Sequence, residues 1–312
     1  MEKAVRAIRS GELVAMPTET VYGLAANAYD VDAVLKVFTV KDRPSFDPLI
    51  VHIGNKEDLR LVATHLPRSA EALIQAFWPG PLTLILPKRD QIPDIVTSGS
   101  ERVAVRMPAH PMALELLRRS GTPLAAPSAN PFGYVSPTTA QHVADQLGER
   151  IAYILDGGPC TVGVESTIIG WEQIDGRDRW SIHRFGGVPI EAIEKVTGPL
   201  FRAIQSSRPI APGMLTSHYA PRTPLVVGDI DELIALHHGK RIATISFTKR
   251  YPVHLSEVLS PGNDLHEAAR NLFSALRRSD TGDVQVILAE RFPEEGLGRA
   301  MNDRLLRASA AR

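Results

Sequence analysis

The sequence predicts an α/β protein in which strands and helices alternate along two successive segments. Short apolar runs rich in β-branched residues alternate with segments whose apolar residues recur at helical spacing. The composition, with 44% hydrophobic and 22% charged residues, is typical of a soluble globular protein. With 312 residues, the chain is long enough for about two domains. Such alternation is typical of a sheet covered by helices, although it does not define the order of the strands.

Residues 1–200 contain seven predicted strands and four predicted helices. The strands are Leu13–Met16, Leu49–Ile53, Leu82–Leu86, Val103–Arg106, Leu124–Ala126, Tyr153–Leu155 and Thr167–Ile169. The helices are Val31–Val40, Arg68–Phe77, Met112–Arg119 and Thr139–Leu147. Asp30 and Thr138 are predicted to cap the helices that follow them, and Gly121 and Gly148 to end the helices that precede them.

A proline-rich stretch at residues 201–224 is predicted to be an extended, semi-rigid linker. Proline fixes φ and removes a backbone donor, so residues such as Pro209, Pro212, Pro221 and Pro224 oppose both a helix and a central strand. We therefore predict a first domain over residues 1–200, the linker, and a second, smaller domain over residues 225–312.

The second domain repeats a strand-helix unit three times. Its strands are predicted at Leu225–Val227, Ile242–Phe247 and Val284–Leu288, and its helices at Ile230–His237, Leu265–Arg278 and Leu297–Ala308. Strands joined through helices are expected to pair in parallel, because a hairpin turn cannot join parallel strands.

Charge and cysteine content exclude several classes of protein. The 35 Lys and Arg residues balance 35 Asp and Glu residues, which argues against nucleic-acid binding through overall charge. The single cysteine, Cys160, excludes a disulfide framework and a multi-cysteine metal site. We see no signal peptide and no apolar run near the about 18 residues of a membrane span. We therefore expect a cytoplasmic protein without membrane contact.

Hydroxyl-bearing residues follow the first predicted strand, in the segment Pro17-Thr18-Glu19-Thr20-Val21-Tyr22-Gly23-Leu24. Open α/β sheets bind ligands at the carboxyl ends of their strands, so this segment is a candidate for ligand contact. A turn capped by threonines is the alternative.

Two cations lie close together at the start of residues 41–52. Lys41 and Arg43 are separated by one residue, so on extended backbone their side chains point the same way, and Pro44 and Pro48 favour such a backbone. Such a pair suits a polyphosphate or a carboxylate, with arginine as a bidentate fork and lysine as a point charge. A solvated surface loop is the alternative.

The segment after the strand at residue 124 has a similar pattern. Ser128 and Asn130 are predicted to face one way, and Ser136 lies before a helix start, where free N–H groups can bind an anion. Simple capping is the alternative. Arg106 and Arg184 each end a predicted strand, as anion anchors or as surface residues.

Three glycines in residues 156–167 permit close approach of a ligand to the backbone. Cys160, in the same loop, is predicted to be a small buried residue rather than a nucleophile. His52 is predicted to make a polar ligand contact rather than to act as a base.

The order of these motifs resembles that of the YrdC/Sua5 family. The segments that carry the resemblance are PTETVYGL, KDRP-x-x-x-PLIVH, WPGPLT, VRMP, PSAN-x-x-G-x-x-SPT and DGG-x-x-x-GVEST. The linker motif PGM-x-x-x-HYAPRTP and the C-terminal EEGLGRAMNDRLLRAS are similar to the longer Sua5 branch. The resemblance spans nearly the whole chain. It implies a YrdC-like twisted open sheet with a deep basic cavity, followed by a small Rossmann-like C-terminal domain.

The resemblance also implies an activity, that of an L-threonylcarbamoyladenylate synthase. Such a nucleotidyltransferase converts L-threonine, bicarbonate or CO₂, and ATP into threonylcarbamoyl-AMP and pyrophosphate. The product supports N6-threonylcarbamoyl modification of a tRNA adenosine, so tRNA is expected as an indirect partner through a downstream transferase complex. Mg²⁺ is expected to accompany ATP, held mostly by phosphate and water oxygens.

Residue roles follow from the same resemblance. Lys41 and Arg43 correspond to the catalytic Lys-x-Arg pair. The ATP-contacting positions are Arg43, Asp47, Arg102, Ser128, Asn130, Ser136, Arg184 and Tyr219. The threonine-contacting positions are Thr20, His52, Arg106, Ala126 and Ser166. Residues 211–222, which contain Tyr219, are expected to form a lid over the nucleotide.

Two other functions are compatible with a fold of this kind. One is an RNA-binding module without synthase activity, which would not need the threonine-contacting set beside an ATP site. The other is a carbamoyl-adenylate enzyme of hydrogenase maturation, whose zinc-finger segments the single cysteine excludes.

Overall fold

The computed structural model describes residues 1–203, 212 and 218–310. In this part of the chain, a ten-stranded mixed sheet precedes a four-stranded parallel sheet. Two units of strands and helices therefore follow one another along the chain, as the alternation of predicted strands and helices indicates.

Short strands separated by helices build the larger sheet. Its strands are β1 (Val14–Met16), β2 (Gly23–Asn27), β3 (Ile50–His52), β4 (Leu82–Pro87), β5 (Arg102–Arg106), β6 (Leu124–Ala125), β7 (Tyr153–Ile154), β8 (Thr167–Ile174), β9 (Arg177–Arg184) and β10 (Phe201–Arg202). The α-helices are α1 (Glu2–Arg9), α2 (Val31–Lys41), α3 (Arg68–Phe77), α4 (Asp94–Thr97), α5 (Pro111–Ser120), α6 (Ala140–Leu147) and α7 (Ile190–Thr197). Two 3₁₀ turns span Lys56–Leu61 and Gly148–Arg150.

The strand order of this sheet is β10-β9-β8-β4-β5-β3-β6-β2-β1-β7. The central strands β3 and β5 are parallel, and their register places His52 opposite Arg106. Because parallel strands end at the same edge, the side chains that end these two strands lie next to each other. This edge positions the candidate site.

The C-terminal sheet has the strands β11 (Leu225–Val227), β12 (Ile242–Ser246), β13 (Leu255–Val258) and β14 (Val286–Ala289), with the helices α8 (Ile230–Leu236), α9 (Leu265–Ser279) and α10 (Gly298–Ser309). Its order is β11-β14-β12-β13, and every pair is parallel. This confirms the parallel pairing expected from helical crossovers.

A buried apolar cluster joins the two parts of the chain. Val21, Val135 and Val164 of the first part belong to one buried cluster with residues of α9 and α10, such as Phe273 and Leu305. Removing this contact would expose apolar surface on both sides, so the two parts stabilise each other.

The sequence correctly predicts the position of each strand and helix that it names, within a few residues at the ends. Asp30 caps α2 by accepting from the backbone N–H of Ala33, as predicted. The predicted cap Thr138 is wrong, because Thr139 is the residue whose side chain accepts from the backbone N–H of His142.

Several elements escape prediction, among them β2, β13, α1 and α7, and of β9 the sequence predicts only the end at Arg184. The strand β2 consists of Gly-Leu-Ala-Ala-Asn, small residues with little strand propensity. It forms between β1 and β6, where neighbouring strands satisfy its backbone.

The predicted linker falls partly on residues outside the described part of the chain, including Pro209 and Gly213. Phe201–Arg202, at its predicted start, form β10 in parallel with β9. Residues 218–224 are described and lie outside helices and strands.

Candidate active site

A cavity opens at the carboxyl ends of β3 and β5. Its lining comes from the part of the chain before the predicted linker and from the linker itself. The lining residues are Thr18, Thr20, Val21, Gly23, Arg43, Ile50, His52, Arg106, Ala126, Pro127, Ser128, Glu165, Ser166, Arg184, Pro212, His218 and Tyr219. Nine of the predicted site residues are in this set. They are Thr20, Arg43, His52, Arg106, Ala126, Ser128, Ser166, Arg184 and Tyr219.

Arg106 organises one side of the cavity. Its guanidinium donates to the Thr20 hydroxyl at 2.9 Å, to a Glu19 carboxylate oxygen at 2.6 Å and to the Gly80 carbonyl at 3.2 Å. The other Glu19 oxygen accepts from the backbone N–H of Ala109 at 3.0 Å. Arg106 is therefore held rigidly, because a bound carboxylate and a carbonyl fix the plane of its fork.

His52 lies beside Arg106 and is buried. Burial, and then the positive charge of Arg106, lower the pKa of His52 to about 3. Its Nδ1 lies 3.2 Å from the carbonyl of Ile50. At neutral pH the ring is therefore uncharged and suited to a polar contact rather than to an ion pair.

Arg184 ends β9 and organises another part of the lining. It donates twice to the carbonyl of Ser166, at 3.1 and 3.0 Å, and once to the Ser166 hydroxyl at 3.1 Å. The Ser166 hydroxyl is also hydrogen-bonded to Thr83, at 2.7 Å. A third guanidinium nitrogen donates to the carbonyl of Pro212 at 3.0 Å, which ties the linker to this wall.

Arg43 is buried against its own loop. It donates to the carbonyls of Asp47 and Pro48, at 3.1 and 2.9 Å. Its NH2 nitrogen lies 2.9 Å from a carboxylate oxygen of Asp47, an ion pair without hydrogen-bond geometry, because these N–H groups are directed at carbonyls. Burial raises the pKa of Asp47, and the nearby cations Arg43, Lys41 and Arg184 oppose that rise.

The expectation that Lys41 and Arg43 form an extended Lys-x-Arg pair is wrong. It is the last residue of α2, and Asp42 has a left-handed backbone with φ of 53°, so the segment turns here. The buried ammonium of Lys41 donates to the carbonyls of Ser128, at 2.5 Å, and Asn130. Burial, and then the charge of Arg43, lower the pKa of Lys41 well below its ordinary value. Lys41 therefore supports the loop behind the cavity wall.

Ser128 and Asn130 do not face the same way, contrary to the expectation from their spacing. Ser128 lines the cavity. The Asn130 side chain instead donates to the carbonyls of Pro131 and Tyr134, at 2.8 and 2.9 Å. β6 ends at Ala125, so the chain beyond it follows a loop rather than the alternation of a strand.

Arg102 is a predicted ATP-contacting residue that, like Asp47 and Asn130, is not part of the cavity lining. It begins β5, the strand whose other end carries Arg106. Its guanidinium pairs with the half-exposed Glu172 at 3.4 Å. The two ends of a five-residue strand are separated by roughly 13 Å, so Arg102 lies too far from the cavity edge to share its role.

Ser136 reaches the cavity through Glu165, whose role the sequence did not indicate. The Ser136 hydroxyl donates to Glu165 at 2.6 Å, and the other oxygen of that carboxylate accepts from Arg304 at 2.7 Å. Glu165 and Arg304 lie in motifs that carry the family resemblance, GVEST and EEGLGRAMNDRLLRAS. These motifs could have singled out the two residues, but they do not indicate that the two residues contact each other.

Tyr219 lies between aromatic and cationic neighbours. Its ring is stacked on Phe273 with centroids 5.8 Å apart, and the Arg304 guanidinium lies 4.9 Å from its centroid. The neighbouring His218 contacts it edge-on at 4.1 Å. The backbone of Tyr219 is left-handed, with φ of 62°, a conformation that surrounding contacts must hold.

Cys160 agrees with its prediction as a buried, unreactive thiol. It is buried, and burial followed by the charge of Glu19 raises its pKa to about 12. The thiolate that a nucleophile requires is therefore scarce at neutral pH.

In residues 1–203, 212 and 218–310, no three His, Cys, Asp or Glu side chains cluster closely enough to hold a metal ion. None of the helices in the same ranges is long and apolar enough to cross a membrane.

Comparison with known proteins places this geometry in a family. Residues 6–186 match the Sua5, YciO and YrdC family, described as telomere recombination, and residues 188–310 match the C-terminal domain of threonylcarbamoyl-AMP synthase. The threonylcarbamoyl-AMP synthase of Pyrococcus abyssi is 45% identical, over 98% of this chain and 92% of its own. The Bacillus subtilis protein of that name is 44% identical, over 99% and 93%.

Solved structures agree with the sequence matches. The crystal structure of Pyrococcus abyssi Sua5 complexed with L-threonine superimposes with a TM-score of 0.92 at 45% identity, over 98% of this chain and 93% of that one. Escherichia coli YciO, at 21% identity and a TM-score of 0.51, shares the fold of the first domain. The matches together cover both sheets and the residues that line the cavity, and the chain belongs to the Sua5, YciO and YrdC family.

Proposed function

We propose that this protein is an L-threonylcarbamoyladenylate synthase, which converts L-threonine, bicarbonate or CO₂, and ATP into threonylcarbamoyl-AMP and pyrophosphate. The observation that carries the proposal is the cavity itself. One space is lined by Arg106, Thr20 and His52 and also by Arg43 and Arg184. Such an arrangement suits an amino acid and a polyphosphate that must meet.

The proposed reaction has two steps, and the cavity would assist both by holding charge. The amine of threonine attacks CO₂ to form a carbamate and loses a proton. A carbamate oxygen then attacks the α-phosphorus of ATP, and the bond to pyrophosphate breaks. Both reactants of the second step are anions, so buried guanidinium groups such as Arg43 and Arg184 would lower its barrier by neutralising charge and aligning the groups.

The threonine side of the cavity has donors of matching chemistry. Arg106 is fixed by Glu19 and Thr20, and its terminal nitrogens each carry a second N–H that suits a carboxylate. The hydroxyls of Thr20 and Ser166 and the uncharged ring of His52 are suited to a polar side chain. Ala126 adds a small apolar contact in the same lining.

Mg²⁺ would enter with ATP as part of the substrate. The buried carboxylates that adjoin the cavity, Glu19 and Glu165, are each paired with an arginine. Such carboxylates are poor ligands for a resident metal ion, whereas phosphate oxygens and water suit Mg²⁺ well. The carboxylates around the cavity therefore fit an Mg²⁺ ion that the triphosphate, rather than the protein, would hold.

We also propose that residues 211–222 act as a lid over the cavity. Pro212, His218 and Tyr219 form part of its lining, and the cavity has a volume of only about 50 Å³. Sites for ligands of this size usually enclose about 300 to 1,000 Å³. ATP and threonine would therefore require these residues to move, and their return would keep water from the carbamate.

The proposed product would donate its threonylcarbamoyl group to a tRNA adenosine through a separate transferase complex, in the cytoplasm. Direct RNA binding at the cavity is disfavoured by burial. Arg43, Arg106 and Arg184 are each less than 8% exposed, so their charges do not form a surface for a phosphate backbone.

Pyrophosphate release tests the proposed function. The purified chain is incubated with MgATP, L-threonine and bicarbonate, and with each of the three omitted in turn. We expect pyrophosphate only in the complete mixture, together with a product of the mass of threonylcarbamoyl-AMP. Pyrophosphate release that does not depend on threonine, or no release at all, would contradict the proposal.

A further inference from the structure

Arg304 extends from the second domain to the wall of the cavity. It lies on α10, and its side chain is fully buried. Its guanidinium donates to Glu165 at 2.7 Å, to the carbonyl of Phe185 at 2.9 Å and to Asp303 at 2.6 Å. Two of these partners belong to the first domain, so this one side chain joins the domains at the site.

The contact between Arg304 and Glu165 affects the charge at the cavity wall. Its carboxylate lines the cavity, is 7% exposed, and accepts from both Arg304 and the Ser136 hydroxyl. Burial alone raises the pKa of Glu165, but Arg304 and then Arg184 outweigh it and hold that pKa below its ordinary value. The group is therefore an anion inside a cavity that would receive a triphosphate, and it requires a counter-charge.

The face of the same guanidinium contacts the linker. The central carbon of Arg304 lies 4.9 Å from the centroid of the Tyr219 ring. The same ring is also stacked on Phe273 of α9. A cation over an aromatic ring attracts it, so Arg304 also helps to hold Tyr219 in the cavity lining.

We propose that Arg304 is a positioning residue of the nucleotide site, which neutralises Glu165, thereby fixes the Ser136 hydroxyl at the cavity wall, and holds the Tyr219 ring there by direct contact. This inference rests on the proposed function, because it assumes that ATP binds in the cavity. It makes the second domain a functional part of the site rather than an appendage. A purely structural role in anchoring α10 is the alternative.

Charge neutralisation can be separated from anchoring with a double variant. Arg304→Met leaves Glu165 as an uncompensated buried anion, whereas Arg304→Met with Glu165→Gln removes both charges, which proteins often tolerate. Arg299→Met is the control, because Arg299 lies on the same helix and pairs with the half-exposed Glu191. MgATP binding by calorimetry and the KM values for ATP and threonine are measured for each.

We expect Arg304→Met to raise the Kd for MgATP and the KM for ATP about tenfold or more, with less than about a threefold change in the KM for threonine. Adding Glu165→Gln should restore most of the affinity for MgATP, and Arg299→Met should resemble wild type. An Arg304→Met variant with unchanged MgATP affinity, or a loss that Glu165→Gln does not reverse, would overturn the proposal.

If Arg304→Met does not fold, Arg304→Gln replaces it, since glutamine removes the charge but can still donate a hydrogen bond. We then expect at least about a threefold weaker affinity for MgATP, reversed by Glu165→Gln, and unchanged affinity would refute the role. Calorimetry keeps this test independent of the reaction. A wild-type chain that binds MgATP but releases no pyrophosphate would contradict the proposed function and leave the role of Arg304 measurable.

Discussion

Arg43→Ala is expected to lower kcat/KM by about 10²-fold or more, on the order of 3 kcal/mol of transition-state stabilisation. Arg43 lines the cavity with a buried guanidinium that its own loop holds in place. Removing one preorganised donor from such a site usually costs about 3 to 4 kcal/mol. The measurement is pyrophosphate release at varied ATP and threonine concentrations.

The structure suggests a second effect of the same change, which must be separated from the first. Without Arg43, the buried carboxyl of Asp47 loses its ion pair at 2.9 Å, and the carbonyls of Asp47 and Pro48 lose a charged donor. Each lost charged hydrogen bond costs about 1.5 to 3 kcal/mol of folding stability. We therefore expect a lower unfolding temperature as well as slower turnover.

Arg43→Ala with Asp47→Asn distinguishes the two effects. We expect this double variant to regain part of the stability but to remain as slow as Arg43→Ala. Arg150→Ala is the matched control, because Arg150 forms an exposed pair with Asp42, at 3.3 Å. Near wild-type turnover in the double variant would refute the argument, since Arg43 would then serve only to balance Asp47.

Four further predictions follow from the same geometry. Lys41→Ala should lower kcat/KM by about 10²-fold, measured by pyrophosphate release, because the loop that its ammonium holds would shift; turnover near that of wild type would remove Lys41 from the site. Valine should be used at least about tenfold less efficiently than threonine in the same assay, since Thr20 and Ser166 would lose a hydroxyl partner; equal use would contradict their assignment. Tyr219→Ala should lower synthase activity, and proteolysis within residues 204–217 should slow when ATP and threonine are both added; cleavage indifferent to ligands would exclude a lid. His52 has a pKa of about 3 in the folded chain against an ordinary 6.5, so the unfolded state binds more protons between these two pH values. The free energy of unfolding should therefore fall with acidification, by about 2 kcal/mol at pH 5. His52→Asn should flatten this pH dependence, and an unchanged slope would show that His52 does not contribute.

Local features of the chain were predictable from the sequence, because they depend on residues close together. Apolar periodicity places the strands and helices, and the Asp30 cap acts within one helical turn. The order of the short motifs also points to the family, and Arg106 and Arg184 end strands as expected. The strands, the helices, the cap and the individual motifs each lie within a short stretch of sequence.

Contacts between distant residues were decided only by the tertiary structure. Lys41 and Arg43 have the spacing of an extended pair, yet α2 continues through Lys41 and turns its ammonium behind the cavity. Arg102 is only four positions from Arg106, but the length of β5 carries it to the opposite edge. Spacing alone does not distinguish these outcomes, because the same residues occupy different sites on a helix, a strand or a loop.

The contact between Glu165 and Arg304 shows where sequence reasoning ends for this protein. The two residues are 139 positions apart and lie in different domains, and each has an unremarkable surface alternative. Only the packing of α10 against the first domain removes both from water and makes their pairing necessary. The sequence by itself determined most of the elements and the motifs, whereas the burial that turns charged residues into a site depends on how α10 and the linker pack against the first domain.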